Sequence, residues 1–129
     1  MSNYLMLISD RQMEINTEFE ECVVPNCIRE QLPFQAEYGY NLNPIASDRK
    51  ENITKEMAPD FYKETCEWFD RIYSAIQKTL KQNNKVALIE TYYEQKLDDV
   101  IWDFEAFPID RLKDDEVSFE FETIYDCML

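Results

Sequence analysis

The apolar residues of this chain change their spacing partway along it, and that change limits the folds open to it. From about Pro59 to Gln82, Phe61, Thr65, Trp68, Phe69, Ile72, Ile76 and Leu80 recur at three- and four-residue intervals. That spacing traces one broad stripe along an α-helix. Pro59 suits the first helical turn, and Asp60 and Glu64 suit the positive end of the helix dipole. Lys78 and Lys81 suit the negative end, and Asn83-Asn84 stops the element.

Beyond the helix the period falls to two. Val86–Tyr93 is apolar on both faces, as a central strand is. Val100, Trp102, Phe104 and Ala106 then alternate with Ile101, Asp103, Glu105 and Phe107, and Pro108 closes the run. Val117, Phe119, Phe121, Thr123 and Tyr125 alternate with Ser118, Glu120, Glu122, Ile124 and Asp126. Such alternation predicts half-buried antiparallel strands, their aromatic rows on the core. Gln95–Asp99 reads as a polar turn and Asp110–Glu116 as a charged loop.

The N-terminal half is less regular. Asn3–Ser9 reads as a strand that joins the same sheet. Met13–Cys27 fits a short helix ending near Pro25, through Ile15, Phe19, Cys22 and Val23, although Met13, Ile15, Thr17 and Phe19 also alternate as a strand does. Pro25 can instead open a second short helix through Leu32. Pro33–Ile53 reads as a long irregular connection, held to the body by Phe34, Tyr38 and Tyr40. The expected fold is α+β. One domain over residues 1–129 holds an antiparallel sheet of three to four strands, packed against one long amphipathic helix.

Several chemistries are excluded or weakened by what the chain lacks. It has no histidine, which removes Ser-His-Asp and Cys-His catalysis in their usual form. Its one glycine, Gly39, cannot build a phosphate-cradling loop. Cys22, Cys27, Cys66 and Cys127 contain no C-x-x-C pair and read as free thiols of a reducing compartment. No metal site and no cofactor is expected. Pro59-Asp60 and Glu94-Gln95-Lys96 resemble the PD…ExK pattern of magnesium-dependent nucleases, but Asp60 opens a helix instead of projecting from a strand. No stretch approaches the ~20 apolar residues of a membrane span, and no secretory signal is read, so the expected location is the cytoplasm.

Charge points toward a partner. The chain carries 27 Asp and Glu against 13 Lys and Arg, a formal net charge of −14. From Asp98 to Asp126 there are eleven acids and two bases, Arg111 and Lys113. Asp103 and Glu105 on one predicted strand fall beside Glu120 and Glu122 on the next. Like charges on adjacent strands are destabilising, where opposite pairs supply ~0.2–1 kcal/mol. Asp114, Asp115 and Glu116 extend the group through the connecting loop, and Asp98 and Asp99 sit at its other end. These nine acids are the candidate partner-binding residues. The same charge disfavours direct contact with nucleic acid.

In size and charge the chain resembles the immunity proteins that bacteria pair with secreted nuclease toxins. Those proteins are commonly small and acidic, and they cap a cationic surface of the toxin. The resemblance carries no family motif and therefore no family residues. It implies a non-enzymatic protein that inhibits a basic nuclease toxin by blocking its substrate-binding surface, with Tyr92, Tyr93 and Phe107 as candidate apolar anchors. The alternative is a phage-encoded nucleic-acid mimic that inhibits a host defence nuclease, in the manner of an anti-CRISPR protein.

Overall fold

A computed structural model describes residues 3–14, 20–42, 59–92, 100–114, 117 and 119–129. The elements run β1 (Asn3–Ser9), β2 (Glu20–Cys22), α1 (Asn26–Arg29), β3 (Tyr38–Asn41), α2 (Pro59–Lys81), β4 (Val86–Tyr92), β5 (Asp103–Pro108), a 3-10 helix (Ile109–Lys113) and β6 (Thr123–Met128). The fold is α+β with one long helix, as the spacing predicts. Among the described residues the sheet has six strands in the order β2-β3-β1-β4-β6-β5. It exceeds the expected three to four because two short strands, β2 and β3, extend it past β1.

Both faces of the sheet are covered, and this explains the unbroken apolar runs of β1 and β4. Leu5 and Leu7 of β1 share a face with Val86 and Leu88 of β4, and onto this face pack Trp68, Phe69, Ile72 and Ile76 of α2. Trp68 and Phe69 meet edge to face, with centroids 4.8 Å apart, a favoured aromatic geometry. Met6, Ile8, Ala87, Ile89 and Ile124 point the other way, against Val24, Ile28, Ala36 and Trp102. Each fully buried side chain of this size contributes ~1.5–3 kcal/mol of transfer free energy.

The end of α2 follows from its asparagines. Asn83 takes a left-handed backbone, φ 64°. The Asn84 N–H then donates to the Thr79 carbonyl at 3.3 Å and the Asn83 N–H to the Leu80 carbonyl at 3.1 Å. This is a Schellman closure, with asparagine in the place glycine usually takes.

Three expectations for the first half need correction. Residues 20–22, expected in a helix, form β2, while residues 15–19 lie outside the described set. The short helix that Pro25 opens is present as α1 but ends at Arg29, before Leu32. Residues 38–41, expected to be irregular, pair with β1 on one side and β2 on the other. What admits β3 is Gly39. A Cβ there would lie 2.9 Å from the Cys22 carbonyl oxygen and 3.0 Å from Val24 Cγ2. Gly39→Ala is expected to lower stability by ~1–3 kcal/mol through overpacking, read as a lower urea midpoint. An unchanged midpoint would mean that β2 yields freely.

The largest correction concerns the C-terminal pair. β5 and β6 are neighbours, as expected, but they run parallel, Asp103 opposite Thr123 and Pro108 opposite Met128. A parallel pair needs a crossover connection of about a dozen residues or more. Residues 109–122 provide it. Ile109 and Leu112 of the 3-10 helix, with Val117 and Phe119, are buried in the core beneath α2. The stretch read as a charged loop is a crossover with an apolar underside.

Candidate partner-binding face

The acidic residues are positioned by β5, the last strand of the sheet, and by the turn that leads into β6. Asp103 and Glu105 stand on β5 and are exposed. The Asp103 N–H donates to the Glu122 carbonyl at 2.9 Å, which joins the start of β5 to the turn before β6. Glu105 lies opposite Tyr125. The Tyr125 hydroxyl accepts the Glu120 N–H at 2.7 Å. Two short connections thus bring Asp103, Glu105, Glu120 and Glu122 around the same strand ends. Glu120 and Glu122 are also exposed. They do not sit on a strand as expected, because β6 begins only at Thr123. Glu122 turns the chain with φ 62°, which costs an L-residue ~1–2 kcal/mol.

Tyr125 senses this surround. Burial pushes its phenol up, and the charges of Glu105 and Glu120 add to that, against the Glu120 N–H and the Arg111 guanidinium, which act to lower it. Arg111 lies 5.0 Å over the Phe107 ring. Among the described residues no salt bridge ties a base to any of the four acids. Lys113 instead sits 4.2 Å over the Tyr73 ring, and the Tyr73 hydroxyl donates to Asp110 at 2.9 Å.

The other candidates divide in two. Asp114 is exposed at the end of the 3-10 helix, and its carbonyl accepts the Val117 N–H at 3.3 Å. No described contact links it to the four acids. Asp98, Asp99, Asp115 and Glu116 lie outside the described residues. So do Glu94, Gln95 and Lys96 of the nuclease-like fragment, and Asp60 stands exposed at the start of α2.

The apolar phase of β5 also differs from expectation. Phe104 and Ala106 were expected on the core, but Phe104 is 52% exposed, while Phe107 is fully buried against Phe119 and Tyr125. Phe107 is therefore a core residue and not an interface anchor. Tyr93 lies outside the described residues, and nothing is described of the Tyr92 side chain. The reason is position in the sheet. β5 is an edge strand, and the layer beneath α2 reaches it only at Phe107.

On the opposite face, Phe104 lines a shallow, mainly apolar groove. Leu32, Pro33, Ala87, Ala106 and Ile124 line it, and Asp126 adds an acidic residue. Sequence reading missed this groove, along with the exposed Ile101 and the buried Glu90 of β4. The signal for Glu90 was present, as a lone acid within an apolar run.

The four cysteines form no disulfide. Burial pushes the Cys22 and Cys127 thiols up, Asp126 adding to the effect at Cys127, and burial raises the Tyr40 phenol too. For each of these groups the unfolded chain ionises first, so deprotonation favours unfolding. Stability is expected to hold below the ordinary thiol range near pH ~8.5 and to fall as pH rises through it and past ~10. Urea midpoints across this range check it. Cys127→Ala should flatten the first part of the fall and Tyr125→Phe the second. A midpoint that rises with alkalinity contradicts the assignment.

Among the described residues no group of Cys, Asp and Glu is arranged to hold a metal ion, and no helix is long and apolar enough to cross a membrane. Comparison with protein-family models, with curated proteins and with solved structures finds no match for this chain.

Proposed function

We propose that this chain is a non-enzymatic binding protein that neutralises a basic macromolecule. The partner we infer is a nuclease toxin whose substrate-binding surface the chain blocks in the bacterial cytoplasm, the role of an immunity protein. One observation carries the reading. Asp103, Glu105, Glu120 and Glu122 gather along the β5–β6 pair and the turn before β6, and among the described residues no salt bridge ties a base to them. Their carboxylates take the place of substrate phosphates. Complementary charge speeds encounter and selects the partner, and apolar contact slows release. Phe104 and Phe121, both exposed beside the acids, are aromatics available for that contact.

The test is capture from the native host, repeated with Asp103→Asn, Glu105→Gln, Glu120→Gln and Glu122→Gln combined. The expected result is a basic nuclease retained and inhibited by the native chain and lost by the variant. Equal capture by the variant would refute the surface. A captured defence nuclease, in place of a toxin, would favour the nucleic-acid-mimic alternative.

A further inference from the structure

We propose that β5 is an acceptor strand. On this reading, which rests on a basic partner, an extended segment of that partner pairs with the outer edge of β5 and lengthens the sheet. Its side chains alternate, cationic toward Asp103 and Glu105 and apolar toward Phe104.

The hydrogen-bonding parity of the strand points to this. The Asp103 N–H is directed at the Glu122 carbonyl, toward β6. Backbone groups alternate in direction along a strand, so Glu105 and Phe107 also face β6, and Phe104 and Ala106 face outward. β5 is terminal in the sheet, so no described strand meets these outward donors and acceptors. The next outward position is Pro108, which has no N–H to leave unpaired.

Side chains sort the same way. Asp103 and Glu105 project from one face of β5, and Phe104 and Ala106 from the other, beside the groove. An added strand meets the two carboxylates on one side and, on the other, a surface that is apolar apart from Asp126. Its own alternation is thereby specified, while main-chain bonds supply affinity. A second copy of the chain does not fit this edge, because pairing two β5 strands would set Asp103 and Glu105 against their own counterparts. The opposite edge, β2, has only three residues, two of them the exposed Glu20 and Glu21. It offers neither the length nor the apolar face.

The probe is a synthetic peptide alternating lysine and valine, compared with a block isomer of the same composition. Affinity and amide exchange are read by NMR on the native chain, on Ala106→Pro and on Asp103→Asn/Glu105→Gln. Ala106→Pro removes an outward donor and leaves every carboxylate and every bond to β6 in place. We expect the alternating peptide to bind at least about tenfold more tightly than the block isomer, to slow exchange at Phe104 and Ala106, and to lose that advantage on Ala106→Pro. If that variant fails to fold, the alternating peptide N-methylated at every second residue serves on the native chain, and its binding should fall by the same factor.

Equal affinity for the two isomers, or unslowed exchange at Phe104 and Ala106, overturns strand addition. If both isomers bind equally and lose affinity only when the acids are neutralised, the acidic face stands without the acceptor strand. If neutralisation changes nothing, the reading of the face falls as well. Protection of these amides that grows with protein concentration, without peptide, would make a second copy the occupant and overturn the proposal.

Discussion

Trp68→Ala is expected to be the most damaging single substitution in the molecule. Trp68 is 1% exposed, and with Phe69, Ile72 and Ile76 it forms the surface of α2 that meets β1 and β4. Truncating a buried aromatic costs ~3–5 kcal/mol. That is a large part of the ~5–15 kcal/mol that holds a domain of ordinary stability together. A chain with a formal charge of −14 also carries self-repulsion against folding. The urea midpoint should fall by roughly 2 M, given a slope of ~1–3 kcal/mol per molar. Glu67→Ala, one residue away but exposed, should change stability by less than ~0.5 kcal/mol. A Trp68 variant no worse than the Glu67 variant would mean that α2 does not cover the sheet.

The second large effect runs in opposite directions for stability and binding. Neutralising Asp103, Glu105, Glu120 and Glu122 removes repulsion among four exposed carboxylates that no described base bridges. The variant should unfold at a higher urea concentration than the native chain, most visibly at low salt, where screening is weakest. The same change should slow association with the basic partner by at least about tenfold, since electrostatic steering raises on-rates by ~10–10³. A surface kept acidic only for solubility predicts the first effect without the second. A loss in both would mean that the carboxylates hold internal structure.

What could be read from the chain follows from how local each signal is. Helix α2 is legible because stripe, dipole charges and stop all lie within one segment. β1 and β4 are legible as buried strands, although two-sided apolarity could not say what covers each side. The direction of β5 relative to β6 was not legible. Alternation marks a strand and is silent on which way its neighbour runs. The clue lay in residues 109–122, whose charges drew attention away from Ile109, Leu112, Val117 and Phe119. β3 was hidden by Gly39, a residue rare in strand interiors that is tolerated here because β2 approaches so closely.

The candidate face was legible in part for a similar reason. That Asp103, Glu105, Glu120 and Glu122 form one group could be inferred from two adjacent alternating runs. Their arrangement could not, since Glu120 and Glu122 sit in a turn whose left-handed residue is a glutamate. The phase of β5 was ambiguous in principle. Phe104 and Ala106 compete with Phe107 for the core, and only the place of β5 at the sheet edge decides for Phe107.

The measurement that bears most directly on the acidic face is the association rate with the captured basic partner across a salt series, native chain against the four-acid variant. The account predicts a native rate that drops steeply as salt rises, and a variant rate that is lower from the outset and nearly flat. Two rates that match at every salt concentration would contradict it.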